Sequence, residues 1–458
     1  MKLILLSGGS GKRLWPMSND SRSKQFLKVL TDENGRSVSM LQRVWQQIDR
    51  VGLADNAYLC ASKAQHEMIL AQLGQVPVII EPDRRDTFPA IALSVTYLLD
   101  EIACDEDEAV AILPVDHYVD DDYFTRIASL DAILDESSAD VALLGVRPTE
   151  ATSKFGYIGL HPDIHDADMR YQTVASFIEK PDVTRARALL EQGALWNCGV
   201  FCFRLGYLRS FLQQHRYPTT FAALMEGFGE LPKRSFDYEV LEQATRLVAV
   251  PYEGRWQDLG TWSALMHEVG QDFVGMGNAV HCEGTHVVNE LGIPVIAMGL
   301  KDTVIVATPD GILVSDLEQS VAIKDVVVEL ASRPMYEERF WGSYRVLDYT
   351  TLEDGTEVLT KAITILPDKH ISYQKHRLRT EVWTVIAGTG EFVIDTRLTT
   401  LAPGDVVRIF PDQWHAIKAI DQMQIIEVQR GPELIEEDII RRYEAWEDIL
   451  HHVMSLSL

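Results

Sequence analysis

Residues 5–27 read L-L-S-G-G-S-G-K-R-L-W-P-M-S-N-D-S-R-S-K-Q-F-L. The apolar run 2–6 in front of them reads as a buried first strand, and it ends in Gly8, Gly9, Ser10 and Gly11. Glycines let backbone N–H groups approach an anion closely, so the bend reads as a phosphate cradle. Two better-known glycine motifs do not fit it. For a P-loop, Leu6 stands where the first glycine belongs and Arg13 replaces the Ser/Thr. For the dinucleotide fingerprint, Leu14 stands where the third glycine belongs. What remains is a loop with two cations at fixed places beside it. Arg13 can fork onto phosphate oxygens, and Lys24 can bring a point charge to the same group. The plain alternative is a strand-to-helix turn with two solvated cations.

Outward from this stretch, strand and helix patterns alternate. Residues 38–51 have helical spacing, 57–61 and 76–80 read as strands around a helix over 65–73, and a helix follows over 89–99. Residues 109–116 and 141–146 are further buried strands, and 155–158 with 177–181 form a strand pair. Such alternation implies an α/β domain with a mostly parallel sheet and ligands at the carboxyl ends of its strands. Asp116 ends one such strand, and a carboxylate beside a polyphosphate is the hard oxygen ligand that Mg2+ prefers.

The loop resembles the signature of sugar-1-phosphate nucleotidylyltransferases, and its L-W-P with K-Q-F looks like the mannose-1-phosphate guanylyltransferase branch. Lys12 departs from the usual Thr. The stretch Glu81-Pro-Asp-Arg-Arg85-Asp-Thr87 resembles the family's E-P-x-x-R-[ND]-T, with Phe88 in place of an Ala, and Leu113-Pro-Val-Asp116-His117 matches its L-P-x-D-H. The resemblance implies a Rossmann-like nucleotidyltransferase domain. It puts Leu6, Gly8, Gly9, Gly11, Glu81, Arg85 and Thr87 on the nucleotide, and Arg13, Lys24, Asp116 and Asp258 in catalysis. Gly156 in F-G-Y-I, Glu179 and Lys180 in E-K-P, and Asn197 in W-N-x-G are implied to hold the sugar and its phosphate. The segment Trp256-Gln-Asp258-Leu-Gly-Thr-Trp262 resembles the family's second metal-binding acid, so this domain is expected to span 1–270.

From 278 to 328 the texture changes to short apolar runs at regular intervals: 285–288, 295–298, 303–307, 312–315 and 320–323. They read as a small stack of strands, which the resemblance makes a β-helix-like module over 271–332. Beyond it an all-β pattern with turn residues at 353–355, 387–390 and 402–405 fills 333–458. Alternate positions on a strand share a face, so Gln374 and His376 are expected to point into one cavity, joined by Glu381 and His415 from adjacent strands.

This part resembles the cupin (jelly-roll) double motif, with Gln374 where a first histidine is usual. Its order resembles the isomerase half of the bifunctional, type II, mannose-1-phosphate guanylyltransferase/mannose-6-phosphate isomerase family. Where relatives have a dense histidine run, this chain has His376-Arg377-Leu378, and Leu378 cannot bind metal. A Gln, two His and a Glu form a mixed N/O set suited to Zn2+ or another divalent ion. Lys361 and Arg430 are candidates for the substrate phosphate or a proton relay. Residues 436–454 read as an amphipathic helix covering a barrel end or a partner subunit, and a homo-oligomer is expected.

A chain of 458 residues is long enough for two or three cores, which stop growing at roughly 250–300 residues each. The net charge of −26 argues against a nucleic-acid or anionic-membrane partner. Five cysteines, an odd number, read as reduced thiols. With no signal peptide and no apolar run of about 18 residues, a cytoplasmic protein is expected. The implied activity is transfer of GMP from GTP to mannose 1-phosphate, releasing pyrophosphate. A second activity in the barrel would interconvert mannose 6-phosphate and fructose 6-phosphate. Two competing readings stay open: a transferase for another base or sugar with a non-catalytic barrel, and a sugar-nucleotide sensor without turnover.

Overall fold

The apolar run behind the opening loop forms β1 (Lys2–Leu6), whose three central residues are fully buried. The computed structural model describes residues 1–9, 12–19, 22–161, 170–269, 272–327, 333–435 and 438–456. Contacts divide the chain into two units. One comprises Met1–His66, Gln75–Asp272 and Asp316–Val326, the other Glu67–Gly74, Phe273–Ser315 and Val327–Leu458.

In the first unit β1 is joined by β2 (Ala57–Ser62), β3 (Val78–Glu81), β4 (Ala109–Pro114), β5 (Val141–Val146), β6 (Tyr157–Leu160), β7 (Gln172–Ile178), β8 (Leu195–Arg204) and β9 (Leu247–Tyr252). The sheet order is β3-β2-β1-β4-β8-β5-β9-β7-β6. The expected parallel pairing runs through β3-β2-β1-β4 and recurs in β5-β9. Strand β8 runs antiparallel between β4 and β5, and β6 and β7 close the edge antiparallel. This reversal has a consequence for ligand binding. An antiparallel strand brings its first residues, Trp196 and Asn197, to the end where its parallel neighbours finish. A bulge between Asn197 and Val200, with Gly199 at φ 72°, bends β8 there.

The helix Thr87–Asp100 is buried along most of its length and anchors the core on one face of the sheet. Phe88 is fully buried, its ring 6.1 Å from Phe211 and 5.4 Å from Tyr217, so the departure from the family's alanine is a packing choice. Outside the main sheet, His117–Val119 and Trp256–Asp258 pair as a short antiparallel ribbon in which Asp258 lies opposite His117. Among the described residues no helix is long and apolar enough to cross a membrane. All five cysteines are free, and Cys60, Cys198 and Cys202 are buried.

In the second unit Phe273–Val274, His286–Asn289 and Thr303–Thr308 stack in parallel, as do Gly277–Val280 and Val295–Met298. Parallel ladders without intervening helices are the mark of a coiled stack of strands. The strand expected over 320–323 is absent. Gln319–Ala322 is a 3-10 turn that continues into the helix Ile323–Val327, because Asp316 Oδ1 accepts from the amides of Glu318 (3.0 Å) and Gln319 (2.9 Å) and starts a turn instead of an extended run.

The C-terminal strands form two antiparallel sheets that enclose a common core around Trp383, Phe392, Ile417 and Ile425, as a cupin barrel requires. The long helix expected over 436–454 is also corrected. Ile440–Tyr443 is a strand paired with the edge strand His370–Lys375, and only Trp446–Leu456 is helical. An open sheet edge offers unpaired N–H and C=O groups, and with Tyr443 stacking on Tyr373 at 6.2 Å it outweighs local helix propensity.

Candidate functional site

At the carboxyl end of the parallel strands lies a cleft of about 790 Å3. Its lining includes Leu6, Gly8, Gly9, Glu81, Arg85, Thr87 and Asp116, drawn from separate parts of the sequence. Gly11 lies outside the described residues. Arg13 sits exposed on the 3-10 turn Lys12–Leu14 and is not among the lining residues of this cleft.

Lys24 lies between the two acids. Its Nζ is 2.8 Å from Asp116 Oδ2 and 2.9 Å from Asp258 Oδ1. The ribbon is what makes this possible, since Asp258 opposite His117 is held one residue away from Asp116. Burial alone would push the Lys24 ammonium down, but the two carboxylates overrule it and raise its pKa. Burial likewise works against the charge on Asp116, and Lys24 and His117 hold its carboxyl below the usual range. Both carboxylate side chains remain partly open, 28% and 29% exposed, so a dissolved cation can reach them.

The residues after Lys24 build the loop. Gln25, almost fully buried, donates to the Ser7 carbonyl at 2.7 Å and the Ser7 hydroxyl at 3.1 Å. Ser23 donates to the Gly9 carbonyl at 3.0 Å and accepts from Gln65 at 3.1 Å. Sequence reading gave Gln25 no job. Its sole signal was an amide flanked by residues of a buried turn.

Across the cleft, burial pushes the Glu81 carboxyl up to about 7, against the pull of Arg84. Arg85 donates through Nε and Nη2 to the Leu231 carbonyl at 3.0 and 2.8 Å, and the Thr87 hydroxyl accepts from the Phe236 amide at 2.8 Å. These two side chains therefore fasten the 231–236 turn while lining the cleft.

That turn delivers a residue the sequence reading passed over. Asp237, on the short helix Phe236–Glu239, lines the cleft, and its Oδ1 accepts from Asn197 Nδ2 at 2.6 Å. Burial first, then the charge of Glu179, pushes its carboxyl up to about 6. Asn197 is fixed from both sides, accepting from the Gly199 amide at 2.9 Å and donating its own amide to the Gly156 carbonyl at 2.8 Å. Glu179 pairs with Lys180 through Oε1, while its Oε2 is buried without a partner. Gly156 is required at its position, because a Cβ there would stand 2.4 Å from Glu179 Oε2. Gly156, Glu179, Lys180 and Asn197 thus form one neighbourhood, linked to the cleft through Asp237. The signal was present in the sequence as an acid at a serine-capped helix start.

In the barrel, His376, Glu381 and His415 converge with ligand atoms within 4.8 Å of one another, all buried. His376 Nε2 is 3.2 Å from Glu381 Oε1, and His415 Nε2 is 3.6 Å from Glu381 Oε2. His415 Nδ1 lies 3.1 Å from the Gln413 carbonyl, which leaves Nε2 buried and without a hydrogen-bond partner; His376 Nδ1 is orphaned too. Burial pushes the His376 imidazole down to about 4, so it presents a neutral nitrogen. Burial opposes the charge on Glu381, but the two histidines and Arg379 hold its carboxyl well below the usual range. The donor set and the orphaned His415 Nε2 fit a divalent cation. Gln374, in register with His415, accepts from the Ser372 hydroxyl at 3.1 Å. The strand ends at Lys375, so His376 follows it and Leu378 is an exposed turn residue whose amide donates to Asp438 at 3.1 Å.

A cavity of about 70 Å3 adjoins this cluster, with Gln374, Arg379, Glu381, Lys361, Glu427 and Gln429 in its lining. Trp383 Nε1 donates to Glu427 at 2.9 Å and to Glu381 at 3.2 Å. Burial, then the charge of Glu381, pushes the Glu427 carboxyl up to about 7. Arg379, Glu427 and Gln429 were missed, although Met423–Gly431 alternates buried and exposed residues with Glu427 and Gln429 in the buried phase. The same alternation corrects Arg430. It falls in the exposed phase, 4.0 Å from Asp354, and does not line the cavity, whereas Lys361 does.

Residues 2–272 match the family described as Nucleotidyl transferase, and residues 331–445 that described as Mannose-6-phosphate isomerase C-terminal. The chain is similar to the Xanthan biosynthesis protein XanB of Xanthomonas campestris pv. campestris (strain B100), with 31% identity over 96% of this chain and 97% of that protein. It is similar to the mannose-1-phosphate guanylyltransferase of Escherichia coli (strain K12), with 29% identity over 96% of this chain and 97% of that protein. A crystal structure described as mannose-1-phosphate geranyltransferase from Thermus thermophilus superposes with a TM-score of 0.61 and 28% identity, covering 72% of this chain and 99% of that one.

Proposed function

We propose, from the premise that this chain belongs to the nucleotidyl transferase family and carries a mannose-6-phosphate isomerase C-terminal domain, that it transfers GMP from GTP to mannose 1-phosphate. The observation that carries this reading is Lys24 held between Asp116 and Asp258 at the cleft that Gly8, Gly9 and Glu81 line. A phosphate oxygen of the sugar phosphate forms a bond to the α-phosphorus of GTP as the bond to the α,β-bridging oxygen breaks, and pyrophosphate leaves. Both reactants carry their own nucleophile and leaving group, so positioning and charge neutralisation are what the protein supplies.

Asp116 and Asp258 would hold Mg2+, which when bound neutralises phosphate charge. Lys24, which both carboxylates now hold, would be free for phosphate oxygens with such a cation bound, and the Gly8 and Gly9 amides face the polyphosphate. Glu81 is the acceptor that the ring N–H and amino group of guanine require. Asn197, Asp237 and the unpaired Glu179 Oε2 face sugar hydroxyls, and Lys180 the sugar phosphate. Arg13, exposed on its turn, belongs to the same loop and meets phosphate only if that loop folds inward.

In the barrel the same reading assigns interconversion of mannose 6-phosphate and fructose 6-phosphate. His376, Glu381 and His415, with Gln374 beside them, would hold Zn2+ or a similar ion, which when bound polarises a carbonyl. Glu427 is the carboxylate able to hold or release a proton near neutral pH, and Lys361 the cavity's cation. A cytoplasmic homo-oligomer is part of this reading, supported by the exposed side chains of Ile296 and Met298 on the stacked strands and of Ile312 and Val314 on the strand Gly311–Asp316.

Pyrophosphate release measured with Mg2+, each NTP and each sugar 1-phosphate in turn tests the transferase. Release with GTP and mannose 1-phosphate above every other pair is expected; release only with another pair reassigns base or sugar, and GTP binding without release makes the protein a sensor.

A further inference from the structure

The cleft of the first unit holds a cation from well beyond the opening 270 residues. Lys324, on the short helix Ile323–Val327, lines it together with Gly8, Gly9 and Arg84. The segment that carries it, Asp316–Val326, groups with the first unit. Its 3-10 turn Gln319–Ala322 packs on the turn Lys12–Leu14 of the opening loop and on the helix Trp262–Val269. That turn is held in place: Asp316 accepts from the amides of Glu318 and Gln319 at its start, and the buried Ser320 donates its hydroxyl to the Leu317 carbonyl at 2.6 Å. Lys324 therefore reaches the cleft from the side of the glycine bend.

The charges of the cleft show why this matters. Glu81, Asp86, Asp116 and Asp237 all line it, and Lys24 is committed to Asp116 and Asp258. Arg85 is committed to the Leu231 carbonyl. Among the described residues, Lys233 and Lys324 are lining cations without an acidic partner. In a chain of net charge −26, a lysine that lines a cleft and pairs with no acid marks a place for an anion. Lys233 stands on the 231–236 turn, near Arg85; Lys324 alone comes from the loop's side.

We propose that Lys324 is a substrate-binding residue of the transferase cleft, contacting the outer phosphates of the bound nucleoside triphosphate and then the pyrophosphate that leaves. This rests on the nucleotidyl-transfer reading and extends its site to a residue outside the expected 1–270 domain. The segment is then a fixed strap against the turn Lys12–Leu14 that carries its lysine to the polyanion.

The test uses the full chain with Lys324→Met and Lys324→Arg, titrated calorimetrically with GTP and separately with pyrophosphate, each with Mg2+, and with mannose 1-phosphate. Lys324→Met is expected to weaken GTP and pyrophosphate about three- to tenfold, because the lysine is solvent-exposed, with the salt dependence of GTP affinity reduced. Lys324→Arg is expected to stay within about twofold of the parent, and mannose 1-phosphate affinity to be unmoved by either change. Unchanged GTP and pyrophosphate affinity in Lys324→Met overturns the proposal, as does an equal weakening of all three ligands, which marks a packing role. If the parent chain binds GTP through Lys324 but releases no pyrophosphate, the transferase reading fails and the lysine assignment stands. If the parent turns over and Lys324→Met binds as it does, only the lysine assignment falls.

Discussion

Asp258 lies directly across a two-strand ribbon from His117, and that pairing sets its carboxylate on the same lysine that Asp116 holds. Two acids separated by half the first domain's length thus share one ammonium group. On the proposed reading, Asp116 and Asp258 would hold a divalent cation, and the ammonium now takes up their charge.

Lys24→Met leaves the two carboxylates facing each other without a counter-charge. Transfer is expected to fall by at least about a hundredfold, the size of effect seen when a group that stabilises transition-state charge is removed. The acid pair should then depend more on a metal, so saturating Mg2+ is expected to raise the melting temperature of Lys24→Met by about 2 °C or more beyond its effect on the parent. Equal shifts in the two proteins, read by scanning fluorimetry, count against a shared cation site.

Glu81 gives a pH dependence whose sign follows from its pKa, raised to about 7 by burial. Below the ordinary carboxyl range the folded and unfolded chains are both protonated and there is no penalty. As pH rises from there towards 7 the unfolded chain releases its proton first, and the stability contributed by the retained proton is lost. Glu81→Gln is therefore expected to gain stability over the parent between pH 4.5 and about 7, by at most about 3 kcal/mol, and to show a constant difference above it. Urea melts at about pH 5 and about pH 8 check this; a difference that does not grow with pH contradicts the buried carboxyl.

How much of this was legible in the sequence differs by element. The first strand, the glycine bend and the acid after Pro114 could be read because a buried parallel strand must be apolar and anything polar at its end needs a reason. The Asp116–Asp258 pairing was legible only through resemblance, since the ribbon that makes it is three residues long on each side. The antiparallel course of β8 and the strand Ile440–Tyr443 were not legible. Each depends on which sheet edge lies nearby, which local periodicity does not encode. Arg430 was misread and Glu427 missed for one reason: the phase of the strand that carries both was not followed.

Asp237→Asn removes an acceptor next to Asn197 while leaving the cleft's volume unchanged. The KM for mannose 1-phosphate is expected to rise about tenfold, one charged hydrogen bond's worth, with the KM for GTP unaffected. Steady-state kinetics in both substrates check it, and a rise confined to GTP would move Asp237 to the nucleotide.

Glu381→Gln tests the barrel independently of the transferase. Bound divalent metal, read by elemental analysis, and mannose 6-phosphate isomerisation are both expected to be lost, while pyrophosphate release stays within about twofold of the parent. Chelation of the parent should reproduce the isomerase loss until Zn2+ is restored. Isomerisation that survives metal removal contradicts the His376–Glu381–His415 centre.

The most direct measurement of the central claim is single-turnover pyrophosphate release from GTP and mannose 1-phosphate by Asp258→Asn, with the barrel's isomerase activity as the check on folding. Sharing of one cation site by Asp116 and Asp258 predicts a fall of at least about a hundredfold with isomerisation intact. Release within about fivefold of the parent would mean that Asp258 merely pairs with Lys24, and the two-acid site would have to be abandoned.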